Sequence, residues 1–117
     1  MAKARFYWKS TCSTCRDARS FILNDLGAEV EERNYAKEPL TIAELKSMFK
    51  GADPRAYINP KSPAFKAMGL KGKTLTQGQA LTLMAEEPNL IKRPVTIVGD
   101  TIIAGFDREA LREALAG

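Results

Sequence analysis

Residues 6–23, FYWKSTCSTCRDARSFIL, decide how this chain is read. A short aromatic run ends at Trp8, cysteines follow at positions 12 and 15, and from Ser13 the pattern changes period. Ala18, Ile22 and Leu26 recur every four positions with Phe21 beside them, the spacing of a helix face, and Gly27 stands where such a helix terminates. Residues 4–8, ARFYW, read as a buried strand. A strand therefore feeds a helix, with both cysteines at the join. Residues 28–34, AEVEERN, carry a modest second strand with Val30 on its buried side, so residues 4–34 predict a strand–helix–strand unit with parallel strands.

Why both cysteines of the chain stand here is a question of chemistry. Positions i and i+3 on a helical turn place their Cα atoms roughly 5 Å apart, inside the window that a disulfide needs. A bridge across so short a loop restrains the unfolded chain little, which makes structural stapling a poor reason for it. At a helix N-terminus the unpaired N–H groups and the positive dipole end favour a thiolate, and Arg16 and Lys9 add positive charge nearby, so the more exposed thiol should have a lowered pKa. Half a zinc knuckle is one alternative, although no second Cys-x-x-Cys and no histidine can complete it; two inert buried thiols are another. In a strand–helix–strand context the spacing is the redox signal of a dithiol centre, and no metal site is expected.

The rest of the chain bounds the choice further. A length of 117 residues predicts one compact domain, and a composition of 44% hydrophobic and 27% charged residues predicts an ordinary globule. The absence of histidine excludes a Ser-His-Asp triad, a Cys-His dyad and any His-ligated metal. The net charge of +4 is dispersed, and the densest basic cluster, Lys61, Lys66, Lys71 and Lys73, reads as a solvated surface, so no direct nucleic-acid binding is expected. No apolar run approaches the ~20 residues of a membrane span, and the N-terminus has no secretory pattern, so a cytoplasmic protein is expected.

Thr41 and Glu44 form a capping-box pattern, and Ile42, Leu45 and Phe49 mark one face of the helix it opens. Further short helices with Gly or Pro stops fill a helical insertion over residues 40–88, between core segments 1–39 and 89–117. Residues 95–98 and 101–104 predict a hairpin around Gly99–Asp100 with the type II′ geometry that a leading glycine prefers. Asp107 is placed to cap a last helix whose Ala110, Leu111, Ala114 and Leu115 face inward. The outline is βαβ, helices, ββα: an α/β fold around a small mixed four-stranded sheet.

The segments CSTCRDAR (12–19), EERNYAKEPLTIAELKSMF (31–49), NLIKRPVTIV (89–98) and AGFDREALREAL (104–115) together resemble the arsenate reductase (ArsC)/Spx family of thioredoxin-like proteins, a similarity running from about residue 4 to 115. The resemblance implies that Cys12 is the nucleophile and Cys15 its resolving partner. It also implies that the Arg93–Pro94 bond is cis, bringing Arg93 beside the active cysteine to hold an oxyanion or stabilise a thiolate, with Arg16 in support. No resident cofactor is implied; the reductant is an external thiol donor such as glutathione, glutaredoxin or thioredoxin.

Family arsenate reductases surround their cysteine with three arginines, which suits a tetrahedral anion offering several oxygens. Here Arg93 matches one position, Asn59 stands at the second and about Gly105 or Phe106 at the third, while Arg55 is displaced in register. Three functions follow from the resemblance: a general thiol-disulfide oxidoreductase, a reductase of arsenate or another small oxyanion, and an Spx-like redox-sensing regulator that docks on the RNA polymerase alpha subunit.

Overall fold

The computed structural model describes residues 4–115. Its chain divides into two compact units, one formed by the segment up to Glu38 together with Arg93 onward, the other by Pro39–Lys92.

The first unit holds the sheet. Strand β1 (Ala4–Trp8) leads into helix α1 (Ser13–Ser20), β2 (Val30–Asn34) follows, and after the second unit come β3 (Val95–Val98), β4 (Thr101–Ala104) and the last helix, α5 (Arg108–Leu115). The strand order is β2-β1-β3-β4, with β1 parallel to β2 and antiparallel to β3, and β3 antiparallel to β4. This is the mixed four-stranded sheet of the thioredoxin-like fold. The parallel pair follows from the crossover helix α1, since parallel neighbours need a long connection.

Alternation along β1 sends Phe6 to one face of the sheet and Tyr7 to the other. Phe6 joins Ala18, Phe21 and Ile22, Ile103 of β4 and Leu111 of α5 in a buried cluster, with Val30, Ala110, Ala114 and Leu115 packed around it. Phe6, Ile22 and Leu111 are fully buried, and each such side chain contributes about 1.5–3 kcal/mol relative to exposure. Tyr7, Val95 and Ile97, also buried, lie on the opposite face.

The helix predicted to run from Ser13 to Gly27 changes pitch on the way. After Ser20 it widens into a π turn, Phe21–Asp25, whose Leu26 N–H bonds the Phe21 carbonyl at 3.0 Å. Gly27, at φ 61, then ends it. The hairpin forms at Gly99–Asp100. Gly99 has φ 62, and no non-glycine among the described residues has positive φ, which gives the II′ pattern rather than I′. The Ala110 N–H donates to the Asp107 carboxylate at 3.1 Å, capping α5.

The second unit is helical: α2 (Ile42–Met48), α3 (Pro63–Ala67) and α4 (Gln77–Glu86), with 3₁₀ turns at Pro54–Tyr57 and Pro88–Leu90. Thr41 and Glu44 make the predicted capping box, and Thr76 with Gln79 makes a second. Helix α2 packs on α4. Its buried stripe is Leu45, Met48 and Phe49, whereas Ile42 is 47% exposed. Ile42 opens the helix, and Met48, one turn beyond Leu45, takes the inward place predicted for it. The four lysines at 61, 66, 71 and 73 are all exposed.

Candidate active site

The first unit brings Cys12, Cys15, Tyr35 and Arg93 into mutual electrostatic reach. The backbone explains how. Strand β1 ends at Trp8, and the Cys12 N–H donates to the Lys9 carbonyl at 2.9 Å, so the chain turns tightly before α1. Cys12 becomes the N-cap in extended geometry, and its carbonyl accepts the first helical bond, from the Arg16 N–H at 3.1 Å. Cys15, on the first turn, falls on the helix face directed at the core and is fully buried, while Cys12 remains partly exposed.

The connecting loop is anchored from β2. Asn34 Oδ1 accepts from the Ser10 N–H at 3.2 Å and the Ala36 N–H at 3.1 Å, and the Tyr35 N–H donates to the Trp8 carbonyl at 2.9 Å. On the other side of β1, the Arg93–Pro94 peptide bond is cis, as the resemblance implies, and Pro94 is buried at the start of β3. The Gly105 N–H closes on the Pro94 carbonyl at 2.7 Å.

The two thiols are held in opposite states. Partial burial pushes the Cys12 thiol up, but the donors facing its sulfur outweigh that: the Cys15 backbone N–H, the Cys15 thiol, then Arg93 through a hydrogen bond and its charge. The sulfur makes no fully formed capping bond in this geometry, yet the sum of these donors leaves its pKa below the ordinary value. Burial dominates at Cys15. Partly offset by a hydrogen bond from the Lys9 backbone, and reinforced by the neighbouring Cys12, it pushes that thiol up to about 12.

Arg16 bonds the loop that carries Cys12. Its guanidinium donates to the Ser10 carbonyl at 2.8 Å and braces the loop, because the first helical turn carries that side chain back toward the residues preceding the helix. Arg93, remote in sequence, acts on Cys12 through a hydrogen bond and its charge. Lys9 contributes its backbone. The other positions matched to family arginines have different work. Asn59 Oδ1 accepts from the Lys61 N–H at 3.0 Å in a local turn, and Arg55 pairs with Asp53 at 2.7 Å and donates to the Leu75 carbonyl at 3.0 Å. Gly105 sits at φ 86, where an arginine would be strained, and Phe106 packs on Phe21 with the rings tilted at 57° and their centroids 5.6 Å apart.

Local sequence pattern does not single out Tyr35, which lies inside the segment 31–49. An aromatic residue directly after a strand parallel to β1 stands at the same end of the sheet as the cysteine loop, where α/β proteins form their sites, and that was the available signal. Among the described residues no group of three or more Cys, Asp or Glu gathers as a metal site. No helix there is long and apolar enough to cross a membrane.

A mixed sheet with a Cys-x-x-Cys at the N-terminus of its first helix and a cis-proline opening its third strand defines a thioredoxin-like protein. Comparison with known proteins narrows the class. Residues 7–114 match the ArsC family, and the chain belongs to that family. The uncharacterised protein YusI of Bacillus subtilis is 32% identical over 112 residues, covering 92% of this chain and 94% of that protein. The global transcriptional regulator Spx of Enterococcus faecalis is 30% identical over 111 residues, covering 93% and 83% respectively. An arsenate reductase from Vibrio cholerae superposes with a TM-score of 0.80 at 25% identity, over 98% of this chain and 100% of that one. A glutaredoxin from Archaeoglobus fulgidus, at 20% identity and a TM-score of 0.52 over 100% of this chain and 89% of that one, shares the fold alone.

Proposed function

We propose that this protein is a thiol-disulfide oxidoreductase in which Cys12 is the nucleophile and Cys15 the resolving thiol, working in the cytoplasm with an external thiol such as glutathione, glutaredoxin or thioredoxin as reductant. The observation that carries the reading is the division of labour between two thiols one helical turn apart: one held toward thiolate by Arg93 and the α1 N-terminus, the other buried and protonated. Cys12 thiolate attacks a substrate disulfide, one substrate sulfur leaves as thiolate, and Cys12 is left in a mixed disulfide. Cys15 then attacks the Cys12 sulfur, releases the second substrate thiol and forms the Cys12–Cys15 disulfide, which the external thiol reduces. Arg93 holds the Cys12 charge, Pro94 places Arg93, and Arg16 supports the loop.

Reduction of arsenate should be weak. With Asn59 and Gly105 at two positions where family reductases carry arginine, each missing charge-assisted contact costs about 1.5–3 kcal/mol. Together they lower catalytic efficiency roughly a hundredfold or more. Steady-state arsenate turnover with thioredoxin, and with glutaredoxin plus glutathione, measured beside reduction of a small disulfide, tests both statements. Disulfide turnover lost in Cys12→Ser supports the oxidoreductase; efficient arsenate turnover that collapses in Arg93→Ala replaces it with an oxyanion reductase. The 30% identity to an Spx protein favours a second reading, a redox-switched regulator that binds the RNA polymerase alpha subunit. Absence of turnover in both assays, with capture of that subunit dependent on oxidation, would establish it.

A further inference from the structure

Residues 54–85 contain no aspartate or glutamate, yet carry Arg55 and the lysines at 61, 66, 71 and 73. The unit Pro39–Lys92 therefore holds eight basic and four acidic residues, the whole of the net charge of +4, while the rest of the chain is formally neutral. Asp53 pairs with Arg55, but among the described residues no ion pair or hydrogen bond holds any of the four lysine side chains.

These charges border apolar grooves. Leu70, Lys73 and Leu75 belong to a strap with a groove on each side, one of about 830 Å³ completed by Gly78 and Leu83 of α4, the other of about 420 Å³ completed by Phe65. No acidic side chain lines either among the described residues. The strap is held in place by the chain beneath it, since Arg55 donates to the Leu75 carbonyl at 3.0 Å and the Leu70 N–H to the Phe65 carbonyl at 3.2 Å.

Gly78 adds an independent observation. Six of the seven described glycines have positive φ, and Gly78 does not. It is the second residue of α4, it is exposed, and a Cβ added there would meet nothing within 4 Å. Neither backbone conformation nor internal packing asks for a glycine, which costs up to about 1 kcal/mol relative to alanine in a helix. Bare backbone beside a groove lets a second chain approach closely.

We propose that this face, from the strap to the first turns of α4, docks an acidic amphipathic helix of a partner protein. Its apolar residues enter the groove beside Leu70 and Leu83, its backbone passes over Gly78, and its carboxylates meet Lys71 and Lys73. Charge complementarity selects an acidic partner. The leucines are buried or half-buried in the groove walls, a shape that receives side chains and does not insert into a bilayer. The basic residues of the face are lysines with no exposed aromatic ring among them, which is not the footprint of a nucleic acid.

The test selects random peptides of about 16 residues, enough for about four helical turns, from a phage-displayed library on reduced full-length protein. The peptides recovered should carry Leu, Ile or Phe at helical spacing beside Asp or Glu, and should bind more weakly as salt is raised. Titrated as synthetic peptides, they should shift the backbone amide resonances of residues 70–83. Affinity should fall about tenfold or more in the double variant Lys71→Glu, Lys73→Glu and in Gly78→Leu, and less in Gly78→Ala. Gly78→Ala should unfold at the same denaturant concentration as wild type or a higher one, which separates lost docking from lost folding. Peptides without acidic residues, binding that survives both the charge reversal and Gly78→Leu, or resonance shifts confined to other residues would overturn the proposal, as would a selection that yields no binder. Tighter binding of duplex DNA or of anionic phospholipid vesicles than of any selected peptide would assign the face to another class of partner and overturn it as well.

Discussion

Cys12 and Cys15 are separated by one helical turn and by a large difference in acidity, because one caps the helix and the other faces the core. The Arg93 hydrogen bond is the part of that difference that substitution can remove cleanly. Arg93→Ala should raise the Cys12 pKa and slow its alkylation near neutral pH, as read by timed labelling and peptide mapping across pH. Cys15 should label slowly in both proteins; faster labelling at Cys15 would reverse the assigned roles. The same residues govern alkaline stability. The Cys15 pKa is raised on folding, so the folded chain keeps that proton between about 8.5, where a free thiol ionises, and about 12. Its contribution is complete below that window and is lost as pH rises through it, at up to about 1.4 kcal/mol per pH unit. Cys12, depressed, works in the opposite sense: its contribution is present above the free-thiol value and is lost as pH falls through the folded value. Denaturant unfolding of reduced protein at about pH 8 and about pH 10 should show the alkaline loss, and Cys15→Ala should flatten it.

Among the elements, the helix ends carry the most local information. Thr41 with Glu44 and Thr76 with Gln79 satisfy both partners of a capping box at 2.8–3.1 Å, so the starts of α2 and α4 are written in four-residue stretches. Thr76→Ala removes an acceptor for the Gln79 N–H and should cost about 1 kcal/mol of stability, seen as a lower denaturant midpoint with unchanged slope. Thr76→Ser should restore most of it. Helix α1 has no such hydroxyl or carboxylate; a cysteine stands at its N-cap, which leaves the donors of the first turn facing a sulfur.

On the scale of the whole molecule, stability of the sheet-bearing unit rests on one cluster in which the last helix supplies Leu111 to Phe6, Phe21, Ile22 and Ile103. Leu111→Ala should destabilise the protein by about 2–5 kcal/mol, a large share of the ~5–15 kcal/mol typical of a domain. The loss should appear in chemical denaturation and be far smaller for a truncation at exposed Ile42. Equal effects at the two positions would show that the cluster does not dominate.

The strand–helix–strand opening, the hairpin around Gly99 and the caps at Thr41 and Asp107 were all legible in the chain, because each depends on residues within one or two turns of each other, where period and turn chemistry act directly. The location of the candidate site was legible for the same reason: both cysteines fall in one loop. Its completion was not legible in local pattern, and Arg93 was named for it only through the family resemblance. Arg93 and Tyr35 reach the cysteines through the pairing of β1 with β3 and with β2, contacts between segments far apart in sequence. Arg16, adjacent to Cys15 and for that reason the nearer candidate in sequence, turns away to the Ser10 carbonyl. Local pattern determined which cysteines could react; the order of strands decided which distant cation acts on them, since the segments that meet at one end of a sheet are set by strand pairing and not by distance along the chain.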